Sequence, residues 1–202
     1  NKSHKVVAYI GSADFKDQLH HGQVDGVNAV RSPGSSLKPL IYAMAFDKGL
    51  ATPLTVINDV PVNFMGYNPE NYNSKFNGRV TLDFALSHSL NIPAVKILNQ
   101  LGVPTVTQAL IKSGFNSIEE SKSKLGLSLA LGGCGVRLCE LSNLYATFAN
   151  NGVYQKLKYV EDDTLNTDTL RLMSSGAAYM TTEILSKITR PDLPDNYANI
   201  LR

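Results

Sequence analysis

Ser35 and Lys38 stand three residues apart in the string Pro33, Gly34, Ser35, Ser36, Leu37, Lys38, Pro39. On a helix that spacing puts both side chains on one face, and a serine becomes a nucleophile only when a base can take its proton. The chemistry would be acyl transfer through a seryl ester, with the lysine amine as proton partner. Seventeen serines and thirteen lysines in 202 residues make roughly one such pair expected by chance, and two occur. The second, Ser121 with Lys124, has no helix start or glycine turn around it and reads as a solvated charge run. At Ser35 the setting differs. Gly34 allows close backbone approach, and a helix start beside the hydroxyl supplies unpaired amides and the positive end of the helix dipole. Such amides can hold a developing oxyanion, while dipole and burial push the lysine toward a neutral base. Taken alone, the segment reads equally well as a serine N-cap followed by a surface lysine.

The element that must carry this pair is a helix over residues 35–48, with Leu37, Leu40, Ile41 and Met44 at helical spacing, Pro39 in its first turn and Gly49 as its stop. Residues 5–12 hold the run Val6, Val7, Ala8, Tyr9, Ile10 and read as a short strand buried on both faces. Residues 50–79 are rich in Asn, Pro and Gly, a long irregular stretch that in a compact domain is more often functional than idle. Thr81 reads as the N-cap of one helix and Pro93 as the start of another that stops at Gly102, with Ser89, Leu90 and Asn91 in the turn between them. A helix over residues 104–112 ends at Gly114, and residues 116–124 read as a solvated loop. Beyond the glycine turn at 131–135 comes a helix with Leu138, Leu141, Tyr145 and Phe148 on its apolar face, then a strand within 153–160. Ser174 or Ser175 caps a last helix with Ala177, Met180, Ile184 and Ile188 on one face, and the stretch from Pro191 to Asp195 is a loop.

Composition narrows the classes. With 43% apolar and 18% charged residues the chain has enough apolar side chain for a core, and 202 residues suit one domain or part of a larger one. A net charge of +2, with basic residues scattered, excludes the footprint of a nucleic-acid partner. No run approaches the ~18 apolar residues of a membrane span. The first residue is Asn, so the chain reads as a processed or excised piece of a longer parent. Cys134 and Cys139 match no zinc pattern and are expected as buried free thiols. Histidines 4, 20, 21 and 88 are not at ligand spacing and no phosphate-binding glycine loop occurs, so neither metal nor cofactor is implied.

The strings PGSSLKP (33–39), YNPENYNSKFNGRVTL (67–82), SLNIPAV (89–95) and the region 131–152, together with the opening VVAYIGSADF, resemble the transpeptidase domain of class A penicillin-binding proteins, nearest in pattern to the C-type members. The resemblance covers essentially the whole chain. It implies an α/β fold of the α+β kind, with helices flanking an antiparallel sheet, as one incomplete domain over 1–202. It implies Ser35 as the acylated nucleophile, Lys38 as its proton partner, Ser89 as a proton relay or second hydroxyl, and Asn91 as a hydrogen-bond donor to the donor peptide. Lys112, Ser113 and Gly114 spell an accepted variant of the family's third motif, but they follow a helical run where a strand is required, so the true motif is expected past Arg202. The implied partners are peptidoglycan stem peptides, as a D-Ala-D-Ala donor and an amine acceptor, and β-lactams. The implied parent is a bifunctional synthase with an anchor and a glycosyltransferase domain, on the periplasmic face of a bacterial inner membrane. A serine β-lactamase, a D,D-carboxypeptidase and a non-catalytic peptide-binding scaffold remain as alternatives.

Overall fold

The computed structural model describes residues 4–160 and 169–188. Helices dominate it, accompanied by two short antiparallel strand pairs, so the fold is mixed α/β. At its centre lies α1 (Lys38–Asp47), entered through a 3-10 turn at Gly34–Leu37. Every residue of α1 from Lys38 to Phe46 is buried, as expected of a helix apolar nearly all round. α3 (Asn91–Leu101) and α7 (Ser175–Ser186) pack on it. Gly49, at φ +66°, ends the helical segment in the left-handed conformation that favours glycine.

β1 (Val56–Asp59) and β2 (Gly78–Thr81) form a hairpin across the Asn-rich loop, in register from Val56 opposite Thr81 to Asp59 opposite Gly78. α2 (Leu82–Ser87) follows directly, with Thr81 extended at its N-cap as expected. α4 (Val103–Lys112) lies beyond Gly102, and α6 (Leu138–Ala149) leads into β3 (Val153–Gln155), which pairs with β4 (Thr169–Arg171). Ser174 caps α7 through its hydroxyl, which accepts the Ala177 amide at 3.2 Å.

Several expectations are corrected. The segment 5–12 is not a buried strand: it makes one parallel bridge, Lys5 to Lys158, and Val7 is 95% and Ile10 76% exposed. Residues 116–124 are not a loop but α5 (Asn116–Ser121) and a 3-10 turn (Lys122–Lys124), because Ile118 and Ser117 are buried and the Ser117 hydroxyl donates to Glu140 at 2.7 Å. α6 turns a different face inward: Glu140, Asn143, Leu144, Thr147 and Phe148 are buried while Leu138 is 52% exposed. The strand expected within 153–160 is limited to β3. Of the α7 face, Ala177 and Ile184 are buried with Ala178 and Thr181, and Ile188 lies past the helix end. Both cysteines are free, as expected, but only partly buried. The stretch 191–195 lies outside the described residues.

Candidate active site

Ser35 sits on the 3-10 turn rather than in the α-helix proper, which begins at Lys38 with Pro39 in its first turn. In a 3-10 turn residues i and i+3 eclipse, so Ser35 and Lys38 stay on one side. The turn's amides are in part already used: Ser36 N–H donates to the Pro33 carbonyl at 3.1 Å and Lys38 N–H to the Ser35 carbonyl. Ser35 is exposed, and its hydroxyl makes no hydrogen bond among the described residues.

The loop before Ser35 is braced by the glycine-rich segment at 131–135. Arg31 and Val136 exchange both backbone hydrogen bonds at 2.9 Å, and the Ser32 hydroxyl donates to the Gly132 carbonyl at 2.7 Å. Gly132 has φ +87°, and a Cβ there would lie 2.4 Å from the Gly34 nitrogen, so only glycine allows the two loops to meet. From α6, the Tyr145 hydroxyl donates to the Ser36 carbonyl at 3.2 Å.

Lys38 is 1% exposed, so its ammonium must find its partners inside the protein. It finds three. Nζ donates to the Ser89 carbonyl at 2.6 Å, to Asn91 Oδ1 at 2.7 Å and to Ser89 Oγ at 3.2 Å. Burial pushes the amine down to about 8 from its ordinary 10.5.

Ser89 owes its place to the end of α2. Its amide donates to the Leu86 carbonyl at 3.0 Å and the Leu90 amide to the Ala85 carbonyl at 2.9 Å, the two bonds of a Schellman ending. The left-handed position of that motif is normally glycine, yet Ser89 occupies it at φ +53°. Asn91 is the first residue of α3, two residues earlier than the helix start expected at Pro93. Its side-chain orientation is fixed by the Glu70 carbonyl, which can only accept: Nδ2 donates to it at 2.6 Å, and Oδ1 is left to accept from Lys38.

Three of the four expected site residues, Lys38, Ser89 and Asn91, are thus in direct contact, and Ser35 is one short turn away from Lys38. The Asn91 backbone amide donates to Asn71 Oδ1 at 2.8 Å, and Asn71 Nδ2 reaches both oxygens of Asp59 at 2.9 Å. Sequence reasoning missed Asn71, Asp59 and Asn77. Its signals were the length and Asn content of the irregular stretch that holds them and, for Asn71 and Asn77, the family-like string at 67–82. Lys112, Ser113 and Gly114 lie at a helix end and not on a strand, as expected. Lys112 ends α4, and the buried Ser113 hydroxyl donates back to the Ala109 carbonyl at 2.8 Å.

An exposed serine one turn from a buried, hydrogen-bonded lysine, with a second serine and an asparagine against that lysine, has the composition of a Ser–Lys acyl-transfer site. A family model described as the penicillin binding protein transpeptidase domain matches residues 1–195, and the chain belongs to that family. Penicillin-binding protein 1C of Escherichia coli K12 is 38% identical over 192 residues, covering 95% of this chain and 24% of that protein. Penicillin-binding protein 1F of Bacillus subtilis 168 is 38% identical over 157 residues, 76% of this chain and 21% of that protein. Penicillin-binding protein 1A of Neisseria meningitidis serogroup A is 33% identical over 174 residues, 83% and 21%. The chain spans about a quarter of the length of the curated relatives it matches.

Proposed function

We propose that this chain is the part of a peptidoglycan D,D-transpeptidase that forms the acyl-enzyme, with Ser35 as nucleophile. The observation that carries the reading is the placement of Lys38: its amine is buried, depressed to about 8, and fastened to Ser89 and Asn91 beside the turn that presents Ser35. A lysine so placed holds a useful neutral fraction near neutral pH.

Lys38 in its neutral form keeps two N–H donors, enough for the Ser89 carbonyl and Asn91 Oδ1, and its lone pair is then free to take a proton. Ser35 Oγ attacks the carbonyl of a D-Ala-D-Ala stem peptide, its proton passes to Lys38, and the C–N bond breaks as D-alanine leaves. Ser89 Oγ, already 3.2 Å from Nζ, hands the proton to the departing amine. An acceptor amine then resolves the ester. Asn91 Nδ2 has one N–H on the Glu70 carbonyl and a second with which to hold the donor peptide. β-Lactams acylate the same hydroxyl. The whole protein then acts on the periplasmic face of a bacterial inner membrane; no helix among the described residues is long and apolar enough to cross one.

Ser35→Ala is expected to abolish labelling by a reporter penicillin in the full-length protein while leaving its melting transition unchanged. Intact mass and peptide mapping of the parent should place the adduct on Ser35. Undiminished labelling of the variant, or an adduct elsewhere, sinks the assignment; no adduct in the parent favours a non-catalytic peptide-binding domain.

A further inference from the structure

We propose that Asn71, oriented by the buried carboxylate of Asp59, is the positioning residue that sets the 89–91 turn against Lys38. The proposal rests on the catalytic reading above. α3 begins at Asn91, and its N-cap residue, Leu90, offers no side-chain acceptor for the first amides of the helix. The acceptor comes from twenty residues upstream, where Asn71 Oδ1 takes the Asn91 N–H at 2.8 Å. The same asparagine's Nδ2 donates to Asp59 Oδ1 and Oδ2, both at 2.9 Å, and to the Lys75 carbonyl at 2.9 Å.

Asp59 is fully buried and forms no ion pair among the described residues. A carboxylate in that position is tolerated only when hydrogen-bond donors surround it, and here they are all amide groups. Besides Asn71, the Asn77 backbone amide donates to Oδ2 at 2.9 Å and its side chain at 2.7 Å. A carboxylate can only accept, so it turns the NH2 end of Asn71 toward itself and leaves Oδ1 for Asn91. The anchor is firm, because Asp59 closes β1 and is paired with Gly78 of β2.

A chain of contacts therefore runs Asp59, Asn71, Asn91, Lys38, from a hairpin through a loop and a helix end to the proposed base. Asn71 and Asp59 touch neither the nucleophile nor the amine, so they act by holding Asn91. A misplacement of about 1 Å at such a point slows a reaction by roughly 100-fold.

The test is a charge swap, read in the full-length protein through the acylation rate constant and the binding constant for a reporter penicillin, measured separately, together with the melting midpoint. Asn71→Asp sets two carboxylates face to face, and the acylation rate constant should fall by about 100-fold with binding changed much less. The double variant Asp59→Asn with Asn71→Asp restores a donor facing an acceptor and keeps an acceptor for the Asn91 amide, losing the donation to the Lys75 carbonyl; it should recover the rate by about tenfold over Asn71→Asp. A parent-like rate in Asn71→Asp overturns the proposal. So does a double variant that labels no faster than Asn71→Asp. Labelling that survives Ser35→Ala instead marks failure of the catalytic reading.

Discussion

Lys38 shows how a single side chain carries both the chemistry and part of its energetic cost. Its amine is pushed down to about 8 by burial, so the charged form is disfavoured in the folded protein relative to the unfolded chain. Below about pH 8 the amine is protonated in both states and the cost is fully present; between about 8 and 10.5 the folded protein sheds the proton first and stability rises by about 3 kcal/mol. Acylation should follow the neutral fraction of the same group. The acylation efficiency toward a reporter penicillin is expected to climb with pH to a plateau with a midpoint near 8, and a midpoint near 10 would show the amine unperturbed. Ser35 and Lys38 were legible from their spacing and the adjoining glycine. Asn71 and Asp59 were not, because nothing local distinguishes an asparagine that faces a buried carboxylate from one that faces water.

Helix ends, more than helix bodies, position the site. α2 closes with Ser89 in the left-handed position, which costs a non-glycine residue about 1 kcal/mol, and that conformation presents its carbonyl and hydroxyl to Lys38. Ser89→Gly should therefore raise the stability of the protein by up to about 1 kcal/mol in denaturant titration while lowering the acylation rate by roughly 100-fold. A variant that is both less stable and equally fast would show that the turn is structural only. Stops at Gly49, Gly102 and Gly114 and the cap at Ser174 could be read in advance, since each depends on the residue at one backbone position. The inward face of α6 could not. Glu140 and Asn143 are buried there because Ser117, His4 and the Gln155 carbonyl come from other parts of the chain to satisfy them, while the buried Thr147 hydroxyl donates back to the Asn143 carbonyl. Leu138, apolar and in phase, is left at the surface.

The molecule as a whole is organised around α1, which joins the site to the core. Leu40, Ile41 and Tyr42 are fully buried between α3 and α7, and the same helix begins with Lys38. Ile41→Ala removes buried methyl groups where neighbours on both sides are fixed, so it should cost about 2–5 kcal/mol in chemical denaturation. An effect under about 1 kcal/mol would mean that the helix is not so enclosed. Elsewhere the surface keeps apolar groups uncovered: Val7, Ile10 and Leu138 line a groove of about 430 Å³ between the 5–10 segment and α6.

Read as a string of residues, this protein already pointed to its family and mixed fold class through the resemblance of ordered motifs, which also implied Ser89 and Asn91, while the spacing of Ser35 and Lys38 beside a glycine is a local property of the chain. It did not disclose whether Lys38 is buried, that Ser89 takes a glycine's conformation, or that Asn71 and Asp59 stand behind Asn91. Those facts depend on which distant groups meet. Burial of an amine and the direction of an amide are set by neighbours twenty to fifty residues away, and only the folded chain brings them within hydrogen-bonding reach.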